Sequence, residues 1–184
     1  MTEPQPLPFG RAIAALGRCV LATGRLLARG AVHLPRANVG RRLSFADGHS
    51  AVVYRETVVD VDGVADPCVL MVCFRLRWVR GFGHRLFRWE SLFNTVLFVG
   101  FPGFVSKLWL AHEQNGVYRG LYEWDGVERA DAYVRALWWA LIVLSEKDSI
   151  RYQVAPGRRR DEVLAEPEML SRPASEWWKP VGAR

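Results

Sequence analysis

A chain of 184 residues and 20.9 kDa has room for one ordinary domain with an extension, and not for two. Half of its residues are hydrophobic and 24% are charged, a composition that excludes extensive disorder. The formal charge of +6 arises within residues 1–42, where Arg11, Arg18, Arg25, Arg29, Arg36, Arg41 and Arg42 outnumber the single acid Glu3; the 18 basic and 18 acidic side chains of residues 43–184 balance. The body therefore has no net-basic footprint for nucleic acid, and an anionic partner would meet the N-terminal segment.

Three cysteines, Cys19, Cys68 and Cys73, form an odd set without metal-ligand spacing, which points to a reducing, cytoplasmic setting. The apolar stretch from Phe9 to Val32 is interrupted by arginines before it reaches the ~18 residues of a membrane span. Eight Trp, nine Phe and five Tyr either fill a core or line an apolar cavity.

Residues 1–8, with Pro4, Pro6 and Pro8, read as a tail. The segments GRAIAAL, GRCVLAT and GRLLARG then place Gly10, Gly17 and Gly24, and beside them Arg11, Arg18 and Arg25, seven residues apart. A seven-residue step drifts only ~20° on a helix, so the pattern predicts a basic amphipathic helix over 9–34, ended by Pro35. Such a helix packs on its own domain with a solvated arginine stripe, or docks on an anionic membrane surface or a partner. An Asp-Gly turn between apolar runs predicts a hairpin over 43–61. Residues 1–66 thus form an N-terminal extension.

From Pro67 the pattern changes. Strands are predicted over 67–78, 103–113, 117–124 and 149–155, with a helix over 82–100 and another from Val127 to about Ser145, opened by Asp125 and Glu128 as a capping box. Residues 67–155 therefore spell β-α-β-β-α-β, the ferredoxin-like order of an α+β fold. Residues 156–184 form a C-terminal arm. Its run Arg158, Arg159, Arg160 reads as solvated surface, and Trp177 and Trp178 as a cover over the same domain or a second subunit.

Nucleotide-binding glycine loops, GxSxG, HExxH and CxxC are absent, and His112 in HEQNG has no second histidine at helical spacing for a metal. The chemistry rests instead on ionisable groups inside apolar strands, Lys107, Arg119 and Glu123, since charges in such places are paired, exposed or held for function. Alternation puts Lys107 and Trp109 on one face opposite Phe104, Ser106, Leu108 and Leu110, and separates Arg119 and Glu123 from Tyr118, Tyr122 and Trp124. A cross-strand salt bridge between Lys107 and Glu123 is the structural reading. The functional one makes Glu123 a base and Lys107 or Arg119 the stabiliser of a developing anion. Trp109, Tyr122 and Trp124 supply either flat substrate-binding walls or ordinary core. On the helix over 82–100, Trp89 belongs to the apolar stripe, while Asn94 and His84 face a cavity or solvent.

FPGFVSKLWL (101–110), YRGLYEW (118–124) and the spaced Ala130, Ala132 and Tyr133 resemble the dimeric α+β-barrel superfamily, above all its branch of small and antibiotic-biosynthesis mono-oxygenases. The likeness covers residues 67–155 and is most specific at Pro102, Gly103, Phe104, Lys107, Trp109, Gly120 and Tyr122. It implies a homodimer packed sheet against sheet, each subunit holding a cavity between sheet and helices. It also implies a cofactor-independent mono-oxygenase or cyclase acting on a polyketide-like or aromatic metabolite. Lys107, Glu123 and Arg119 are then the catalytic candidates, and Trp109, Tyr122, Trp124, Asn94, Trp89 and Phe104 the substrate-binding ones. Because the superfamily also contains haem-degrading members and members with no known activity, a haem or hydrophobic-ligand binding protein stands as one alternative, and a non-catalytic, membrane- or partner-associated accessory protein, supported mainly by the arginine-striped helix, as another.

Overall fold

PCVLMVCFR is an almost unbroken apolar run, and a strand of that kind needs cover on both faces. In the computed structural model, which describes residues 5–77, 95–112, 116–165 and 177–183, this run is β4 (Pro67–Arg75), and its central residues are buried on both sides. Before it come α1 (Phe9–Ala28), β1 (Val32–His33), β2 (Arg42–Phe45) and β3 (Ser50–Val59). After it come a 3-10 turn at Thr95–Leu97, β5 (Phe104–His112), β6 (Val117–Asp125), α2 (Val127–Leu144), β7 (Arg151–Pro156), α3 (Arg160–Ala165) and β8 (Pro180–Ala183).

The strands form one antiparallel sheet in the order β7-β4-β6-β5-β3-β2-β8, with β1 also on β3. Within it, β7 lies beside β4, and β6 lies between β4 and β5. This is the ferredoxin-like arrangement, so the α+β fold follows from the pairing itself. The predicted hairpin is β2 and β3, and β3 continues the sheet by pairing with β5 from Ala51 opposite His112 to Val58 opposite Ser106.

Three local expectations are corrected. α1 stops at Ala28, not at Pro35, because Gly30 takes φ 69°, and the N–H groups of Gly30 and Ala31 close back on the carbonyls of Leu27 and Leu26 at 3.0 Å each. A β-branched or bulky residue would resist that left-handed backbone, which glycine adopts freely. Asp125 does not cap α2. The cap position is Gly126, and the Asp125 carboxylate instead accepts N–H bonds from Ala65 and Asp66, both 2.9 Å, and from Arg129 at 2.8 Å. Of the predicted helix over 82–100, residues 82–94 lie outside the described residues, and 95–100 form a 3-10 turn followed by turns.

Both faces of the sheet are covered. On the helix side, Leu70, Val72, Trp109, Tyr122 and Trp124 pack with Phe98, Val99 and the α2 residues Ala130, Tyr133, Val134, Trp138 and Leu141. On the other side, Val69, Met71, Leu108 and Leu121 share a core with Leu43 and Phe45 of β2, Val163 of α3 and Trp177. The sheet curls over this second face: Asp47, in the turn between β2 and β3, reaches Arg119 of β6 at 2.6 Å. Trp177 is buried there under the Arg151 guanidinium, 4.2 Å from its ring centroid, so this tryptophan covers its own domain. α1 likewise packs on its own domain, as Cys19 and Thr23 donate to the carbonyl of Val96. No helix among the described residues is long and apolar enough to cross a membrane.

Candidate functional site

Between the helix side of the sheet, α2 and the segment at Leu97 and Phe98 lies a cavity of about 80 Å³. Its walls are largely apolar, including Val72, Phe74, Phe98, Trp109 and Leu141, and its polar residues include Lys107, Tyr122, Tyr133 and Ser145. β5 and β6 position the first of these. Lys107 stands opposite Tyr122, and Trp109 opposite Gly120. A Cβ at Gly120 would come within 2.6 Å of the Tyr122 ring, so the glycine lets that ring lie back along the sheet.

Lys107 is the unusual member. Its side chain is 6% exposed, and its Nζ lies 3.2 Å from the ring centroid of Trp109, 4.4 Å from that of Phe98 and 4.6 Å from that of Tyr122. Burial, and secondarily the Arg55 cation, hold its ammonium well below the ordinary lysine range, because the charged form loses its hydration. The aromatic faces return part of that loss, but among the described residues no carboxylate pairs with it. Lys107 is thus a buried amine whose charged form is disfavoured.

Facing it, Tyr122 and Tyr133 share a hydroxyl–hydroxyl hydrogen bond of 3.1 Å. Burial pushes both phenols above their ordinary range, so both stay protonated, and whichever of them donates to the other, one hydroxyl proton remains for a ligand. At the end of α2, the Ser145 hydroxyl is buried and has no hydrogen-bond partner among the described residues. The arrangement places an amine and three hydroxyls around one largely apolar, aromatic-lined cavity.

The expected catalytic trio does not assemble. Register places Glu123 opposite Ser106 and Val69, which turns it to the far face from Lys107, and the Lys107–Glu123 salt bridge is not formed. Glu123 instead accepts the N–H of Arg160 at 3.0 Å and lies 3.6 Å from Arg159. Arg160 is itself buried rather than solvated, and pairs with Glu56 at 2.8 Å, whose other oxygen accepts from Asn38 at 2.9 Å. Arg119 borders the cavity, but its guanidinium binds Asp47 and covers the ring of Phe45 at 4.3 Å. Both groups thus fasten the far face of the sheet.

Of the expected substrate-binding residues, Trp109 and Tyr122 reach the cavity wall. Trp124 sits behind it, with ring centroids 5.0 Å from Tyr133 and 5.5 Å from Phe104. Phe104 shares this face, against simple alternation, because the register shifts between Phe104 and Ser106. Trp89, Asn94 and His84 lie outside the described residues. Tyr133 and Ser145 were not singled out as site residues. Tyr133 carried one signal, a hydroxyl within the apolar helical spacing of Ala130, Val134 and Leu137, where a buried O–H needs a partner.

No protein-family model and no curated protein matches this chain. Two solved structures are similar to it. One is a ferredoxin-fold protein of Listeria monocytogenes 4b F2365 related to antibiotic biosynthesis monooxygenases, with 12% identity and a TM-score of 0.46, covering 74% of this chain and 88% of the other. The second is an anthrone oxidase-like protein, with 11% identity and a TM-score of 0.41, covering 74% of this chain and 56% of the other.

Proposed function

We propose that the cavity is the active site of a cofactor-independent enzyme of the mono-oxygenase or cyclase kind, acting on a small, flat, enolisable or phenolic metabolite. The observation that carries this reading is the buried amine of Lys107 on the cavity wall, ringed by Trp109, Phe98 and Tyr122 with no carboxylate paired to it among the described residues. It removes a proton from an acidic C–H or O–H of the substrate. The free hydroxyl of the Tyr122–Tyr133 pair donates to the resulting oxyanion, and the surrounding rings keep water from competing. In the oxygenase form, a substrate methylene reacts with O2: its carbon becomes a carbonyl, and the second oxygen atom leaves with the two hydrogens as water. In the cyclase form, the same enolate attacks a carbonyl of its own chain. Lys107 alone takes the base role for which Glu123 was the candidate, since Glu123 faces away.

The test uses 2-tetralone, a two-ring enolisable ketone. The wild-type protein accelerates deuterium exchange at its acidic carbon, and oxygen uptake under air separates the oxygenase from the cyclase form. Lys107→Met loses the exchange by a factor of roughly 10²–10⁴, the usual worth of a positioned base, while a folded Glu123→Gln retains it. The rate falls as pH drops through the depressed lysine value, when the amine is protonated. Exchange by the wild-type protein no faster than by free butylamine, or undiminished in Lys107→Met, would overturn the assignment.

A further inference from the structure

The seam of α1 against the domain is made by Ala12, Cys19 and Thr23, the buried residues of this helix. At 3.6 residues per turn, the remaining circumference falls into three lines. Phe9, Ile13, Val20 and Leu27 form the first, all exposed, with Phe9, Ile13 and Leu27 more than half so. Trp139 of α2 continues it, edge-on to Phe9 with ring centroids 6.1 Å apart. The crest opposite the seam carries Leu21, the most exposed large apolar side chain of the described chain, among Gly10, Gly17 and Gly24, which have open space around them. Arg11, Arg18, Arg25 and Arg29 form the third line, also exposed. The helix contains no acidic residue.

We infer that this face of α1 docks in the plane of an anionic lipid surface. The apolar line and Leu21 enter the boundary between headgroups and acyl chains, and the arginines bind phosphates alongside. Charge complementarity selects this occupant. A second copy meeting the same patch in an antiparallel pair would bring one arginine line toward another with no acid on either helix to neutralise it, and in a parallel pair it would set each arginine line against the other helix's apolar line. The exposed apolar side chains stand on a convex crest, which a fluid lipid layer accepts without a matching groove. The contact is peripheral, because the other side of α1 remains fixed to the domain.

Co-sedimentation of the full chain with phosphatidylcholine vesicles, with and without phosphatidylglycerol, tests the inference. The protein partitions onto the phosphatidylglycerol vesicles at low salt and is released at high salt. Each arginine near an anionic surface contributes about fivefold in partition, so the triple variant Arg11→Gln, Arg18→Gln, Arg25→Gln loses on the order of a hundredfold. Leu21→Gln loses about tenfold without any change of charge. All four side chains are exposed, so circular dichroism of the variants is expected to match the wild type. Three results would overturn the inference: no partition onto phosphatidylglycerol vesicles at low salt, equal partition by the triple variant, or concentration-dependent dimerisation that Leu21→Gln abolishes, which would make a second copy the occupant.

Discussion

Lys107 pays for its position in stability, and the sign of that cost can be measured. Its folded-state value lies well below the 10.5 of an ordinary lysine. Between those two values the unfolded chain therefore binds more protons than the folded one, and stability rises with pH across the window. Lys107→Met is expected to be more stable than wild type near neutral pH, with the gap closing as pH approaches 10.5; denaturant titrations at the two ends of the window measure it. Parallel stabilities at both ends would show that the amine is not desolvated as the geometry indicates. That Lys107 lies among apolar neighbours was legible in FVSKLWL, but that no carboxylate pairs with it among the described residues was not, since a cross-strand bridge to Glu123 was the ordinary reading. Glu123 and Arg119 looked equivalent to it only while the register was unknown. Alternation tells which residues of one strand share a face, but pairing decides which face of the next strand they meet, and one residue of slip inverts the answer.

Among the elements, α1 shows how closely a helix is fitted to its neighbour. A Cβ at Gly100 would stand 2.1 Å from the Cys19 carbonyl oxygen and 2.6 Å from the Thr23 backbone nitrogen, backbone contacts that no side-chain rotation can relieve. Gly100→Ala is expected to cost about 1–3 kcal/mol, the usual range for overpacking, and to raise hydrogen exchange within 9–28 ahead of the sheet. Unchanged exchange there would show that the seam tolerates the methyl group. The sequence made the existence and period of α1 plain, as it did the strand order from Pro67 onward. Its end was misplaced because Pro35 is the more conspicuous breaker, whereas Gly30 acts earlier through the left-handed turn. The capping pattern at Asp125 and Glu128 misled for a related reason: a carboxylate can satisfy whichever N–H groups the loop brings closest, and Ala65 and Asp66 arrive first.

For the whole molecule, the decisive fact is that the far face of the sheet is closed by the chain's own hairpin and C-terminal arm. β2 and β3 curl over it, and the arm lays Val163 and Trp177 on it, anchored by Arg160 between Glu56 and Glu123. Nothing in Arg158, Arg159 and Arg160 distinguishes the buried arginine from its solvated neighbours, and its acidic partners lie on strands far back along the chain, so this closure was not legible in the sequence. Deleting residues 158–184 is expected to uncover Leu43, Phe45, Met71 and Leu108 and to drive self-association, read by size-exclusion chromatography and binding of an apolar dye. A monodisperse, equally stable truncated protein would mean that the arm is dispensable for covering this face.

The three cysteines, each buried and free, make the molecule its own stopwatch. Cys19 lies in the α1 seam, while Cys68 and Cys73 lie in β4, where burial pushes both thiols to about 11. A thiol that is both enclosed and protonated meets an alkylating reagent only when its surroundings open. Alkylation followed by mass spectrometry thus times two different events in one sample, the lifting of one helix and the breathing of the central strand. Gly100→Ala should advance the first reading and leave the second unchanged.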